Sequence, residues 1–135
     1  MLTEAVIDRT VALLDERFGL DALFVFGSEA EGTRHRGSDL DLAALLRRRP
    51  DALELLDAQT ALEEIAGRDV DLVDLGAASP ILARQVLGSG RCVFGSRAPA
   101  LACFEATLPS RYEDLKRIRA EAESALVQRV VHGRS

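Results

Sequence analysis

The chain has 135 residues, of which 47% are hydrophobic and 29% charged, and its formal net charge is −5. Length and composition predict one domain, residues 1–135, with a core that needs no disulfide or metal. The negative charge argues against direct nucleic-acid binding, which relies on basic residues that neutralise phosphates. No stretch approaches the roughly 20 apolar residues of a membrane span and the N-terminus is acidic, so we expect a soluble cytoplasmic protein without membrane contact.

The first fifth of the chain predicts a helix and then a strand. Residues 3–18 repeat apolar side chains at helical spacing, and Gly19 follows where a helix C-terminus favours positive φ. Residues 22–26 form a short apolar run that ends at Gly27. This run indicates a strand covered on both faces, followed by a turn.

Two later segments combine acids with apolar residues at strand spacing. Residues 39–42 read Asp-Leu-Asp-Leu, so a strand would place both carboxylates on one face and both leucines in the core. In residues 69–75, Val70 and Leu72 share one face and Asp71 is the central acid of the other. Asp69 and Asp74 remain alternatives to Asp71 if the strand register differs by a residue or two.

Helix signals mark three further segments: Asp51 to Gly67, Ser79 to Gly88, and residues 110–131 after the capping-box pattern Ser-Arg-Tyr-Glu. Pro109 is expected to break or kink any helix before it. Cys92 and Cys103 do not form a CxxC pair, which favours two buried thiols over a zinc site. Strands alternate with helices, so the predicted fold class is α/β (α+β).

One constellation of residues predicts chemistry. Gly27-Ser28 ends a strand, ten residues follow, and Asp39-x-Asp41 opens the next strand. A glycine lets the backbone approach a ligand closely, and a serine at a helix N-terminus offers its hydroxyl and free N–H groups to phosphate oxygens. Carboxylates at i and i+2 of a strand have Cα atoms about 6.6 Å apart, close enough to share or bridge cations.

The charge of this predicted site favours a metal. Two carboxylates 4 Å apart repel by roughly 4 kcal/mol at an effective dielectric constant near 20, and Asp71 adds a third negative charge. Such a half-buried acidic face is costly unless cations occupy it, and sites of phosphoryl transfer use pairs of metal ions in this way. Oxygen-only ligands suit magnesium.

These motifs resemble the active-site signature of the DNA polymerase β-like nucleotidyltransferase superfamily, and of its minimal nucleotidyltransferase (MNT) family in particular. The resemblance extends from Leu23 to Leu75. It rests on Gly27-Ser28 followed by Asp39-Leu40-Asp41-Leu42, and on the later strand around Asp71. It implies the polymerase β-like fold, a small mixed sheet flanked by helices.

The resemblance also implies a mechanism. Ser28 in the Gly27-Ser28 turn would hold the β and γ phosphates of ATP, and two Mg²⁺ ions would bind Asp39, Asp41 and Asp71. An acceptor hydroxyl would attack the α-phosphate, and Asp71 would also accept its proton. Many relatives have arginines near the turn where this chain has glutamates, and Arg34 or Arg36 could substitute for them.

The acceptor implied by the resemblance is a protein. Minimal nucleotidyltransferases resemble antitoxins that pair with HEPN-domain toxins in a type VII-like system and transfer AMP to a toxin tyrosine. Two alternatives stay open: transfer to a small molecule such as an aminoglycoside, and a non-catalytic antitoxin that blocks its partner sterically. The arginine run at 47–49 either contacts the triphosphate or an acidic partner, or is solvated at the end of a strand. Neither His35 nor His132 is assigned a role.

Overall fold

The computed structural model of the protein describes residues 2–27 and 39–132, which form four strands and four helices. In chain order these are α1 (Glu4–Phe18), β1 (Leu20–Phe26), β2 (Leu40–Leu46), α2 (Ala52–Ala66), β3 (Val70–Asp74), α3 (Pro80–Ser89), β4 (Arg91–Phe94) and α4 (Pro99–His132). Among these helices, none is both long and apolar enough to cross a bilayer.

The four strands form one mixed sheet in the order β3-β2-β1-β4. β1 pairs antiparallel with both β2 and β4, whereas β2 and β3 are parallel. The parallel pair is connected through α2, which follows β2 and leads back to the start of β3. Because of this crossover, β2 and β3 begin at the same end of the sheet, and β1 ends there. The mixed sheet flanked by helices confirms the predicted fold.

Side-chain alternation along the strands divides the core between the two faces of the sheet. One cluster joins the sheet to α1 and α2 and contains Leu14, Phe18, Leu40, Leu42, Leu62, Val70 and Leu72. The other joins it to α3 and the first part of α4 and contains Phe24, Ala43, Leu45, Leu75, Val86, Leu101 and Leu108. Both faces are therefore covered, as the apolar run of β1 predicts.

The structure differs from the sequence analysis in α4. Residues 110–131 are helical, but the helix begins at Pro99 and continues through Pro109. Leu101 and Leu108 are buried before the proline. Burial of two leucines contributes about 3–6 kcal/mol, which is at least as large as the roughly 3 kcal/mol that an interior proline costs a helix. Cys103 is exposed on the same helix rather than buried.

Replacing Pro109 with alanine should stabilise the protein. Pro109 is exposed, so little packing is lost, while alanine restores the N–H group that the helix lacks at this position. We expect the free energy of unfolding in urea to rise by about 1–3 kcal/mol. Ser110→Ala, at the neighbouring exposed position, is the matched control and should change it by less than about 0.5 kcal/mol. A destabilised P109A would show that the proline is required for the helix path.

Candidate active site

Asp41 and Asp71 are neighbours on the two parallel strands. The register of β2 and β3 pairs Asp41 with Asp71, and adjacent strands lie about 4.8 Å apart. Leu40, Leu42, Val70 and Leu72 are buried in the cluster beneath α1 and α2. Alternation therefore places the two carboxylates on the opposite face, at the end where both strands begin.

Asp39 lies at the same end, immediately before β2. It is exposed, and it is two residues from Asp41, which puts it on the same side of the extended chain. The Leu40 N–H between the two acids donates a hydrogen bond of 2.8 Å to the Asp69 carbonyl, which fixes the start of β2 against the start of β3. The backbone thus brings together the three acids that the sequence analysis selected.

Gly27 lies beside Asp41, at the end of the strand next to β2. It follows β1, whose last residue Phe26 is the register partner of Asp41. Its φ is 71°, a value that side chains strongly disfavour. A Cβ atom here would collide with the Asp41 carboxylate in its present position, so the positive φ and this close approach both favour glycine. Ser28, Arg34, His35 and Arg36 fall in residues 28–38, outside the described residues.

The electrostatics of the site centre on Asp41. Burial raises the pKa of its carboxyl group, and the charges of Asp71 and Asp39 raise it further. The nearby guanidinium of Arg68 lowers the same pKa but does not cancel the rise. The three acids therefore form a cluster with excess negative charge.

Arg68 is the site residue that the sequence analysis missed. It lies between α2 and β3, three residues before Asp71, and is half-buried. Its charge reaches Asp41, so it is part of the electrostatic environment of the acids. A basic residue in a turn is usually solvated, and only its place directly before the acidic strand distinguishes this one.

The alternatives for the third acid occupy different positions. Asp74 is buried on the opposite face of β3, where its Oδ1 accepts a hydrogen bond of 3.2 Å from the Gly76 N–H. Asp69 is exposed and precedes β3. The register thus places Asp71, rather than Asp74, beside Asp41.

The arginine run after β2 lies at the far end of that strand from the acids. All three side chains contact neighbouring structure: Arg47 Nε donates to Asp21 Oδ1 at 2.9 Å, Arg48 Nη2 to Glu54 Oε2 at 2.8 Å, and Arg49 Nη2 to the Gly76 carbonyl at 2.9 Å. Because these three arginines lie at the opposite end of β2, they are too far away to contact a ligand bound beside the acids.

The arrangement has the donors for a cation but not a closed cage. Within residues 2–27 and 39–132, no group of three or more His, Cys, Asp or Glu side chains has the spacing of an assembled metal site. Asp39 and Asp71 are exposed, so their side chains have room to turn towards an ion. Carboxylate oxygens are the ligands that Mg²⁺ prefers in proteins.

Comparison with known proteins gives consistent matches. A curated relative, protein adenylyltransferase MntA from Shewanella oneidensis, is 37% identical over 78 residues, which are 58% of this chain and 56% of that protein. The chain thus matches little more than half the length of this relative.

Two solved structures match more of the chain. A chain from a toxin–antitoxin crystal structure with AMP-PNP has a TM-score of 0.78 and 30% identity, covering 93% of this chain and 99% of that one. A chain from the complex of tri-AMPylated Shewanella oneidensis HEPN toxin with MNT antitoxin has a TM-score of 0.70 and 25% identity, covering 90% and 96%.

The family described as "Polymerase beta, Nucleotidyltransferase" matches residues 9–98, which include Gly27, the three acids and every strand of the sheet. This match covers two thirds of the 135 residues, and the chain belongs to the polymerase β nucleotidyltransferase family.

Proposed function

We propose that the protein is a magnesium-dependent adenylyltransferase that transfers AMP from ATP to a tyrosine hydroxyl of a HEPN toxin partner. The observation that carries this proposal is the adjacency of Asp41 and Asp71, with Asp39 and the Gly27 bend at the same end of the sheet. A relative is named protein adenylyltransferase, and a matched chain comes from a complex with an AMPylated HEPN toxin. A cytoplasmic location fits the use of ATP.

Asp39, Asp41 and Asp71 are the residues that would hold two Mg²⁺ ions. Their oxygen donors fit this hard cation, and the raised pKa of Asp41 reflects its burial and the neighbouring negative charge, which a cation would neutralise. Bound there, the ions would supply positive charge to the phosphates of ATP. Arg68 alone is a poor substitute, because one guanidinium can balance only one of the three negative charges.

Gly27 and Ser28 are the proposed nucleotide-binding residues. Gly27 carries no side chain beside Asp41, so the backbone of the bend stays close to the acids and open to a phosphate. We assign Ser28, directly after it, to the β and γ phosphates through its hydroxyl and backbone N–H. This places the triphosphate between the bend and the carboxylates.

The transfer itself is a displacement at phosphorus. The acceptor oxygen forms a bond to the α-phosphorus of ATP, the bond from that phosphorus to the bridging oxygen of diphosphate breaks, and diphosphate leaves. We assign the proton of the acceptor hydroxyl to the carboxylate of Asp71, which is exposed and therefore accessible to a protein substrate. The contribution of the enzyme is mainly to position the reactants.

Loss of the paired acids should abolish transfer without preventing association. We expect D39N/D41N to lower AMP transfer more than about 100-fold, because both metal ligands lose their charge. Intact mass measurement of the proposed HEPN partner, cloned from the same genome as this chain, after incubation with ATP and Mg²⁺, reports the added AMP. Gel filtration should show an unchanged complex. The control is D69N, because Asp69 is an exposed acid next to the site. The D69N protein should transfer AMP normally.

If the toxin gains no AMP after incubation with the wild-type chain, ATP and Mg²⁺, the proposed acceptor is wrong. Toxin neutralisation that persists in D39N/D41N would instead support a steric antitoxin. A loss of transfer in D69N equal to that in Asp71→Asn would overturn the choice of Asp71.

Magnesium and ATP together should raise the melting temperature. A ligand that binds only the folded state at a hundredfold excess over its Kd adds about 2.7 kcal/mol of stability. Differential scanning fluorimetry with ATP alone, Mg²⁺ alone, both, and both with excess EDTA checks this. We expect the large shift only with both and without EDTA. A wild-type shift retained in D39N/D41N would contradict the site assignment.

Without metal, the acids should destabilise the fold. Asp41 is half-buried beside two other carboxylates, so Asp41→Asn removes repulsion while keeping the shape of the side chain. In EDTA we expect the free energy of unfolding to rise by about 0.5–1 kcal/mol, a screened value for partly exposed charges. Urea denaturation of Asp41→Asn against Asp57→Asn, an exposed acid paired with Arg17 far from this cluster, isolates the effect. A less stable Asp41→Asn would show that the carboxylate is held by favourable contacts.

A further inference from the structure

The helix α4 consists of two parts with different surroundings. Up to Tyr112, it contacts α3 and β1 and contributes Leu101 and Leu108 to the core. We call residues 113–132 the α4 extension. From 113 to 131, every residue except the half-buried Leu115 is exposed. The extension is about 30 Å long at 1.5 Å per residue, so it reaches well beyond the body of the protein.

The α4 extension carries an apolar surface that no described residue covers. Nine large apolar residues are exposed in the described part of the chain, and five of them lie on this extension, each between 53% and 64% exposed: Ile118, Leu126, Val127, Val130 and Val131. In proteins, most of the stability of a helix comes from packing of its apolar face, and the described residues provide no such packing for this extension. Clustered exposed apolar side chains mark interaction surfaces.

The arrangement of these residues favours a groove rather than a single helix as the binding surface. At about 100° per residue, Leu126, Val130, Val127 and Val131 spread over roughly 140° of the helix circumference. A two-helix coiled coil buries only the narrow a/d seam. In this chain such a seam, continued from Leu115 and Ile118, would contain Ala122, Ala125 and Arg129. Self-pairing through that seam would bury little apolar area and one charge.

The extent of the structural matches supplies a second, independent observation. The nucleotidyltransferase family match ends at residue 98, directly before α4 begins at Pro99. The match to the chain from the toxin–antitoxin structure covers 93% of the 135 residues and leaves about ten at most unmatched. Most of α4, 34 residues long, is therefore shared with a chain from a toxin–antitoxin assembly although it lies outside the catalytic family region.

We propose that the α4 extension docks into an apolar groove between helices of the toxin partner. This inference rests on the proposed function for the identity of the partner. The sheet and its acids carry out the chemistry, whereas the extension provides the binding surface that this small catalytic domain otherwise lacks. Leu126, Val130, Val127 and Val131 insert into the groove, and the charged residues of the opposite side remain in water.

The test is a binding measurement with a matched pair of double variants. The double variant Leu126→Glu with Val130→Glu places two charges, at i and i+4, on the side of the helix that carries the four apolar residues at 126, 127, 130 and 131. Ala125→Glu with Gln128→Glu adds the same charge at i and i+3, centred on the opposite side of the helix, at two exposed positions. Glutamate is a good helix former, so both variants should keep the helix, which far-UV circular dichroism checks.

The probe is the same proposed HEPN partner that is used for the mass measurement, titrated by isothermal calorimetry. We expect the apolar-side variant to bind at least about 100-fold more weakly, because two buried side chains become charged. The opposite-side variant should bind within about threefold of wild type. Both should keep the melting shift with Mg²⁺ and ATP. Equal binding by the two variants, or weakening by the opposite-side variant alone, would overturn the proposal.

The result also separates this inference from the proposed function and from self-association. If the wild-type chain binds the toxin without transferring AMP and the apolar-side variant does not bind, the docking surface stands and the catalytic proposal fails. If AMP is transferred and the apolar-side variant binds normally, the docking proposal alone fails. Light scattering of the isolated chain should give a monomer of 14.6 kDa. A dimer that only the apolar-side variant dissociates, with toxin binding unchanged, would assign the surface to a second copy.

Discussion

The repulsion between Asp41 and its neighbouring acids is the constraint around which this end of the molecule is organised. Strand pairing places their carboxylates side by side, and the backbone of Gly27 lies against the Asp41 carboxylate because glycine has no Cβ atom. Burial and like charge raise the pKa of Asp41, while Arg68 opposes this effect only in part. The fold therefore carries an electrostatic cost at one end of the sheet. Cations bound beside these carboxylates would relieve that cost, which would link the stability of the fold to the occupancy of the site.

The positions of the site residues follow largely from short-range patterns in the sequence. Alternation in residues 39–42 and 69–75 separates Asp41 and Asp71 from the buried leucines and valines, because a strand sends successive side chains to opposite faces. These local patterns do not predict that β2 and β3 are parallel neighbours, or that their register pairs these two acids. That register depends on the α2 crossover and on packing between distant segments.

The remaining differences from the sequence analysis have a common origin in tertiary contacts. Pro109 is a local signal against helix, yet Leu101 and Leu108 pack strongly enough to carry α4 through it. Arg68 has no distinctive local pattern, and only the folded turn brings its charge near Asp41. The sequence does not show where the arginine run that follows β2 lies relative to the acids. Its contacts with Asp21, Glu54 and Gly76 place it at the opposite end of that strand.

The hydrogen bond from the Leu40 N–H to the Asp69 carbonyl has an evolutionary consequence. It joins the beginnings of two strands through main-chain atoms, which all residue types except proline can supply on the donor side. The spacing of the clustered carboxylates is consequently independent of most side chains in the surrounding helices. Substitutions on the outer surfaces of those helices can therefore accumulate without changing the separation of the acids.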